Sequence, residues 1–259
     1  MKKIITLVLA VMLVACVGMT AFAAETVVAN FEVTDIDAYM GFNSGLVTAY
    51  GVEAPVHAAA AGDDGNGVRV TTSSNAGFVQ SYYMSDADLL SAIKANYAAE
   101  KYLKIYVENN SSQTLGIRFT FNDAAGGLMS FDCSNAVLVN TNGRKVASGT
   151  HDGGGMAENA SKLVPVGFKG YIYFPFADLT IAAPAGWNRP AFTGMADIVN
   201  VEFDIRCSLD DHAAFTGTDY IFDSFSIVDE VVGTADISVI AYAATAIVGL
   251  GALVIAKKR

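Results

Sequence analysis

The chain has 259 residues, 53% of them hydrophobic, and a formal net charge of −10 at pH 7. All acidic residues lie between Glu25 and Asp236, and five of the sixteen basic residues lie outside that interval, which therefore carries a formal charge of −15. Such an acidic surface argues against nucleic acid and anionic membranes as partners, and it favours solubility and cation binding.

The first 23 residues are predicted to be a secretory signal peptide. Met1 to Lys3 is basic, an apolar run follows, and the A-x-A pattern Ala21-Phe22-Ala23 places cleavage before Ala24. The residues that end at Cys16 also match a bacterial lipobox, in which the cysteine would become lipidated. Ordinary cleavage and lipidation are therefore both open, and either one predicts an exported protein.

Short strands separated by Gly, Asn and Asp dominate the interior of the chain. Alternating or β-rich runs predict strands at residues 68–72, 78–84, 102–108, 116–122, 128–133, 170–176, 199–207 and 220–227. A helix is predicted from Asp86 to Asn96 with Ser85 as its cap, and the polar, glycine-rich stretch 140–161 is interpreted as a long loop. This order of elements predicts an all-β domain over residues 24–230, a β-sandwich of jelly-roll type with one short helix.

The predicted strand KGYIYFPF at residues 169–176 is apolar or aromatic on both side-chain parities and contains a proline. Proline cannot donate a main-chain hydrogen bond to a neighbouring strand. Pro175 therefore predicts a strand end, a bulge or an edge position.

Two cysteines, Cys133 and Cys207, lie on the apolar parity of their strands. They could form a disulfide across the core, which an exported location permits. They could equally be two small buried hydrophobic residues. The sequence leaves both alternatives open.

The C-terminus predicts a membrane anchor. After a short linker at 231–236, residues 237–256 form an uncharged run of 20 residues, which ends at Lys257-Lys258-Arg259. A helix of that length, at ~1.5 Å rise per residue, spans a hydrocarbon core of roughly 30 Å. Because basic residues stay on the cytoplasmic side, we expect residues 24–236 to lie outside the cell and 257–259 to form a cytoplasmic tail.

This tail resembles the sorting tails of Gram-positive surface proteins, which carry Leu-Pro-x-Thr-Gly ahead of the apolar segment. The corresponding residues here are Val231-Val232-Gly233-Thr234-Ala235, of which only Thr234 matches. Membrane retention is therefore expected, and covalent attachment to the cell wall stays open.

Four stretches carry a second resemblance. In chain order they are Asn30-Phe31-Glu32, YLKIYVEN at 102–109, YIYFPFAD at 171–178 and YIFDSFSI at 220–227. Together they resemble the galactose-binding-like jelly rolls found as carbohydrate-binding modules of bacterial glycan-degrading systems, over residues 27–228. The resemblance implies that Pro175 lies where a strand leaves the sandwich and that Phe176 turns into the core.

The same resemblance implies a structural calcium ion that ties the first strand to the last. The matching positions are Glu32 and Asp223. Because calcium takes six to eight oxygen ligands, backbone carbonyls or a further acid such as Asp35 would have to complete the site. The alternative is that both are ordinary surface acids at strand ends.

The resemblance further implies a polysaccharide site, in which aromatic rings stack on pyranose rings and planar polar groups bond their hydroxyls. A proline-bounded loop carries the only tryptophan. Strand alternation places several such aromatic and polar side chains on the outer faces if the apolar residues between them point into the core, namely Leu103, Ile105, Val107, Ile117, Phe119, Phe121, Val201, Phe203 and Ile205. The residues expected to form one groove are Tyr102, Tyr106, Arg118, Asn122, Trp187, Asp204 and Arg206. A plain solvated sheet face would show the same residue types.

Motifs of an enzyme are lacking in the sequence. His57, His151 and His212 have no metal-ligand spacing, and neither a nucleophile elbow nor a phosphate-binding loop occurs. We therefore interpret the protein as a non-catalytic surface module that binds carbohydrate. The alternatives are a structural or protein-binding domain without a sugar site and a hydrolase whose carboxylates come from distant strands.

Overall fold

The computed structural model describes residues 24–31, 41–42, 55–63, 65–72, 79–151, 160–207 and 217–232. The predicted signal peptide, the predicted membrane helix at 237–256 and the basic tail lie outside these residues. Within the described ranges, no helix combines the length and the apolar character needed to span a bilayer.

Two antiparallel sheets face each other across one hydrophobic core. Sheet A contains β1 (Glu25–Ala29), β3 (Val56–Ala61), β4 (Asn66–Thr71), β6 (Tyr102–Asn109), β9 (Val137–Asn140), β10 (Lys145–Val146), β13 (Lys169–Pro175) and β16 (Asp219–Val228). Sheet B contains β2 (Gly41–Phe42), β5 (Val79–Met84), β7 (Leu115–Asp123), β8 (Leu128–Phe131), β11 (Thr150–His151), β12 (Ser161–Val164), β14 (Leu179–Ala182) and β15 (Ile198–Cys207). The predicted β-sandwich is confirmed.

The order of the strands shows many crossovers between the sheets. Sheet A runs β10-β9-β13-β6-β16-β4-β3, and β1 also pairs with β16. Sheet B runs β11-β12-β7-β15-β5-β2, and β8 pairs with both β7 and β14. Some strands that follow one another in the chain, such as β6 and β7, therefore belong to different sheets, whereas others, such as β3 and β4, pair in the same sheet.

All predicted strands are present, with boundaries that shift by one or two residues. The interpretation of 140–161 as a long loop needs a correction, because β10 and β11 lie inside it. β10 folds back on β9 through a turn in which Asn140 Oδ1 accepts hydrogen bonds from the N–H groups of Asn142 and Arg144. Residues 152–159 lie outside the described part of the chain.

Among the described residues there is one α-helix, α1 (Ala87–Asn96). It begins after Asp86, whose Oδ1 accepts hydrogen bonds from the N–H groups of Asp88 and Leu89 over 3.0 Å each. The predicted cap, Ser85, was therefore one residue too early. α1 packs against β1 and β15, and its buried side chains are Leu89, Leu90 and Ile93.

Alternating side chains of both sheets fill the core. Phe119 of β7 stacks on Phe203 of β15 with ring centroids 5.0 Å apart, and it meets the edge of Phe174 from β13 at 5.4 Å. Each large apolar side chain that leaves water contributes about 1.5–3 kcal/mol. The core therefore joins strands of both sheets, and the inward parities of β6, β7 and β15 are as predicted.

Pro175 is the last residue of β13, and a 3-10 turn follows at Phe176–Asp178. Since β13 lies between β9 and β6, the proline marks a strand end and not an edge strand. Phe176 is buried in the core, as the resemblance implied.

Cys133 is a free and buried thiol. Its Sγ faces the carbonyl oxygens of Phe131 and Ala160 at 3.6 Å, and burial raises its pKa to about 12. At position 133 the structure therefore agrees with the second alternative, in which the cysteine is a small buried hydrophobic residue.

Candidate functional site

The residues predicted to form one groove lie on two opposite faces of the sandwich. Tyr102 and Tyr106 belong to β6 in sheet A, whereas Arg118, Asn122 and Asp204 belong to β7 and β15 in sheet B. The inward side chains of both sheets share one core, so the outward side chains of the two sheets point in opposite directions. The structure therefore divides the expected groove between two surfaces.

The outer side of sheet B carries the larger group of predicted residues. The cross-strand register places Ser81, Asp204 and Arg118 side by side in one row. The neighbouring row contains Tyr83, Glu202, Thr120 and Ser130. We call this surface the polar face and define it by Ser81, Tyr83, Arg118, Thr120, Asn122, Ser130, Asn200, Glu202 and Asp204.

An ion pair lies at the centre of the polar face. Arg118 donates from Nε to Asp204 Oδ2 over 2.8 Å, and its Nη2 donates to the same oxygen. Both residues are nearly fully buried, at 6% and 1% exposure. Burying such a pair has a desolvation cost that the mutual attraction offsets only when the geometry is good. The two planar groups are therefore held in a fixed orientation.

The other polar side chains of this face are also oriented by one another. Ser81 donates from Oγ to Glu202 Oε1 over 2.6 Å, and the hydroxyls of Thr120 and Ser130 are 2.8 Å apart. At the end of the face, Asn122 Nδ2 donates to Oδ1 of Asn200 over 2.8 Å. Most of these groups are buried, so the contacts fix their orientation, whereas Glu202 and Asn200 are half-buried.

Tyr83 supplies an aromatic ring on the polar face. Its side chain is 37% exposed, while its neighbour Tyr82 is in the core. Burial raises the pKa of Tyr83 to about 12, with further contributions from Glu202 and Asp204 and an opposing one from Arg189. The phenol is therefore neutral at physiological pH. We had not predicted this residue, although strand alternation in VQSYYM would have identified it.

A loop is fastened beside the polar face and carries the tryptophan. Asp123 Oδ2 at the end of β7 accepts hydrogen bonds from the N–H and the hydroxyl of Thr193, over 2.6 and 2.9 Å. Arg189 donates to the carbonyl of Gly126 over 3.4 Å. Trp187 lies in this loop and is 46% exposed. These contacts hold the loop at the turn between β7 and β8, next to Asn122.

For Arg206, the last of the predicted groove residues, the structure gives only the position of its backbone in β15. It pairs with Val79 and with Gly116 in the same register as Asp204. Its side chain lies outside the described part of the structure.

The tyrosines predicted on sheet A are in a different environment. Tyr106 is 1% exposed, its hydroxyl donates to Glu108 over 2.6 Å, and its ring meets that of Tyr171 at 5.5 Å. Burial, followed by the hydrogen bond to Glu108, raises the pKa of Tyr106 far above its usual value. Tyr102 packs half-buried against a small apolar cluster. Tyr106 therefore has no free ring face on which a sugar could stack.

The expected calcium position involves Asp223, which is fully buried. Its Oδ2 accepts a hydrogen bond from the N–H of Asp63 over 3.0 Å, and its Oδ1 from the N–H of Ser224 over 2.7 Å. A side chain at Gly62 would collide with this carboxylate, so glycine is required at that point of the turn. The first and last strands are joined directly by hydrogen bonds between β1 and β16.

No group of three or more His, Cys, Asp or Glu side chains that could hold a metal occurs within the described ranges. Glu32 lies outside them. Within the described residues, both carboxylate oxygens of Asp223 accept hydrogen bonds from backbone N–H groups. Calcium between Glu32 and Asp223 stays a prediction.

Comparison with known proteins gave matches only among solved structures. Neither a protein-family model nor a curated protein matches the chain. The solution structure of CtCBM11 is 13% identical, with 81% of this chain and 98% of that chain covered and a TM-score of 0.46.

Two further solved structures match the chain at similarly low sequence identity. The family 11 carbohydrate-binding module from Clostridium thermocellum, in complex with a β-1,3-1,4-mixed-linked tetrasaccharide, is 13% identical over 83% of this chain and 99% of that chain, with a TM-score of 0.41. An exo-β-agarase is 10% identical over 78% of this chain but only 25% of that chain, with a TM-score of 0.42. Family 11 carbohydrate-binding modules are therefore among the structures that this chain resembles, and TM-scores below 0.5 carry no conclusion about its ligand.

Proposed function

We propose that the protein is a non-catalytic module at the cell surface that binds a polysaccharide through the polar face of sheet B. The observation that carries the proposal is the exposed ring of Tyr83, which pairs in register with the half-buried Glu202. An aromatic ring can stack on the C–H face of a pyranose, while a carboxylate beside it accepts hydrogen bonds from the sugar hydroxyls.

The layout of the face suits a chain of sugars better than a single one. Its two polar rows cross β5, β15 and β7, and Trp187 is exposed on the loop beside them. Successive sugar units can therefore contact the two exposed rings, Tyr83 and Trp187. No pair of carboxylates with the arrangement of a glycosidase is needed for this role.

The position of the face also fits the expected anchoring. Residues 229–232 follow β16 and lie against the outer side of sheet A, where Val231 packs on the apolar cluster of that side. If residues 237–256 cross the membrane, the polar face is on the side of the sandwich away from the point where the chain leaves. A surface so placed is accessible to an extracellular polymer.

A second candidate function is a structural or protein-binding domain without a sugar site. It is favoured by one observation, the near-complete burial of Arg118 and Asp204. A buried ion pair can serve the fold alone.

Binding of the full-length protein to soluble polysaccharides would decide between the two. The protein would be reconstituted in lipid nanodiscs and titrated with mixed-linked β-1,3-1,4-glucan, xylan, agarose oligomers and mannan in a calorimeter. Saturable binding to at least one polymer supports the proposal. Failure of every polymer to bind, with the protein folded, would leave the structural function as the better conclusion.

A further inference from the structure

The strand β3 lies at one end of sheet A. It is the last strand in the order of that sheet, and among the described strands it pairs only with β4. In an antiparallel pair, the backbone groups of alternate residues face the neighbouring strand, and the others face away from it. β3 therefore presents a row of backbone N–H and C=O groups at the side of the sheet, to which a further strand can bond.

β3 is longer and more regular than the other described edges. β10 at the opposite end of sheet A, and β2 and β11 at the ends of sheet B, have two residues each. β14, which pairs with β8, has four residues and a register shift. β3 pairs with β4 over six consecutive residues without a shift. Short or irregular edges hinder pairing with another chain, and β3 lacks this protection.

The side chains of β3 also leave its edge open. Its sequence, VHAAAA, contains neither a charged residue nor a proline, the residues that commonly block edge strands. His57 turns into the domain, with Nε2 3.1 Å from the hydroxyl of Tyr82. Val56 is 65% exposed, and Ala58 and Ala59 are exposed as well, although they lie on opposite faces of the strand. The edge is therefore accessible from both faces, and its small side chains allow a close approach.

We propose that β3 pairs with β3 of a second copy of this chain, so that sheet A continues from one copy into the other. The two strands are antiparallel and related by a two-fold axis perpendicular to the sheet. Paired residues must lie on the same face of the joined sheet, which requires the axis to pass beside one residue, Ala58 or Ala59. Because β3 is uncharged, no like charges face each other along this pair of strands.

The orientation of the two copies favours a second copy over a strand of another protein. With the axis perpendicular to sheet A, the outer sides of both copies of this sheet point the same way, and both polar faces point the opposite way. Residues 229–232 lie against the outer side of sheet A, so both chains leave on the same side. If residues 237–256 cross a membrane, both anchors reach one bilayer, and copies held in that bilayer meet edge to edge.

The contact is small, which makes the dimer weak in dilute solution. One pair of six-residue strands buries less than the roughly 1,000 Å² that is usual for a stable interface. Confinement to a membrane raises the local concentration and thereby favours the dimer. The dimer would present two polar faces to the same side, but its formation does not depend on whether they bind a polysaccharide.

Disulfide cross-linking of the full-length protein in phosphatidylglycerol liposomes tests the proposal. The variants are Ala58→Cys, Ala59→Cys and Val56→Cys, and the unaltered protein gives the background from its own cysteines. A residue beside the two-fold axis has its Cα atom ~4.5–5.5 Å from the same atom in the other copy, which permits a disulfide. The two copies of residue 56 would be separated by roughly 13 Å or more along the strands. We expect a covalent dimer from Ala58→Cys or Ala59→Cys and none from Val56→Cys.

A second substitution blocks the edge without touching the cross-linked position. Ala60→Lys, added to the variant that cross-links, brings an ammonium group from each copy to the joined edges. It should lower the yield of covalent dimer by about two- to fivefold. Val166→Lys is the matched control, because Val166 is 55% exposed but lies in the turn between β12 and β13. It should leave the yield unchanged, and thermal melting shows whether each variant is folded.

Three results would overturn the proposal. Equal yields from all three cysteine variants would indicate random collision or a dimer formed by the anchors alone. A folded protein that gives no covalent dimer above background would show that this edge does not pair with a second copy. A yield that Ala60→Lys leaves unchanged would place the contact elsewhere. No polysaccharide is present in these experiments, so their outcome is independent of the function proposed for the polar face.

Discussion

Arg118 and Asp204 face each other across β7 and β15, joined by two hydrogen bonds to a single carboxylate oxygen on the outer side of sheet B. The pair is nearly as buried as the core on the other side of the same strands. A hydrophobic pair of the same volume would be at least as stable. The pair instead presents two oriented planar groups at the centre of the polar face.

Removing one partner of this pair should destabilise the protein strongly. Arg118→Met leaves the Asp204 carboxylate buried without its cation, and we expect a loss of about 3–5 kcal/mol in the free energy of unfolding. The double variant Arg118→Met with Asp204→Leu should recover most of that loss. Urea unfolding followed by circular dichroism measures both. A double variant as unstable as the single one would show that the pair does not act as a unit.

Replacing the exposed tyrosine of the polar face should affect binding and not stability. Tyr83→Ala removes a ring that can stack on a sugar, which is worth about 0.5–1.5 kcal/mol beyond its area, so we expect roughly tenfold weaker polysaccharide binding. Tyr97→Ala is a matched control, because Tyr97 has almost the same exposure but lies at the end of α1. Equal binding by both variants in calorimetry would remove Tyr83 from the site.

The loop that carries Trp187 should respond to acid. Hydrogen bonds from Thr193, the backbone N–H first, lower the pKa of Asp123 below its usual value despite the opposing effect of burial. The stabilisation that ionised Asp123 gives to the loop is therefore complete above the unfolded-state pKa of the Asp123 carboxyl, about 3.9. It is lost as the pH falls through the lower folded-state pKa of the same group.

We expect the fluorescence of Trp187, the only tryptophan, to change in that acidic range. In Asp123→Ala the low-pH spectrum should already be present at pH 7. Far-ultraviolet circular dichroism recorded in parallel separates the loop from global unfolding. A Trp187 spectrum that changes only together with the circular dichroism would contradict a local release.

Asp223→Ala should destabilise the domain even without metal. The N–H groups of Asp63 and Ser224 would lose their acceptor, at a cost of about 1–3 kcal/mol for each buried group. Melting with and without a chelator then tests the predicted calcium ion separately. If calcium binds between Glu32 and Asp223, the chelator should lower the melting temperature of the unaltered protein and should have no effect on the melting temperature of Asp223→Ala.

Cys133 should be unreactive in the folded protein. Its pKa near 12 and its burial keep the thiol protonated and inaccessible at pH 8. Alkylation mapped by mass spectrometry should label Cys133 only in denaturant, and there it should be complete without a reductant. Labelling that requires a reductant would indicate a disulfide.

The strands and their inward parities were predictable because alternation is a local signal. Leu103 and Phe119 were assigned to the core correctly from the residues around them. Which sheet a strand joins is decided by pairing with distant strands, and no local signal reports it. Tyr106 and Arg118 were therefore placed on one surface, although β6 pairs with β16 and β7 pairs with β15.

The outer side of sheet A shows the same limit. Alternation alone puts Tyr171 and Tyr173 on one face of β13, but the approach of Lys104, Glu25 and Val232 depends on strands far apart in sequence. Pro175 was informative because proline restricts its own backbone, which is a local effect.

The last strand, β16, lies in the interior of sheet A, bonded to β6 on one side and to β4 and β1 on the other. A pull on the chain beyond Val232 therefore acts along a strand that has neighbours on both sides. Such a force has to shear both rows of hydrogen bonds together, whereas an edge strand can be peeled away one bond at a time. The salt bridge from Lys101 to Asp229, 3.4 Å long, lies where that force enters the sheet. If residues 237–256 anchor the chain and the polar face holds a polymer, we expect the resulting load to act on a strand that is bonded along both of its sides.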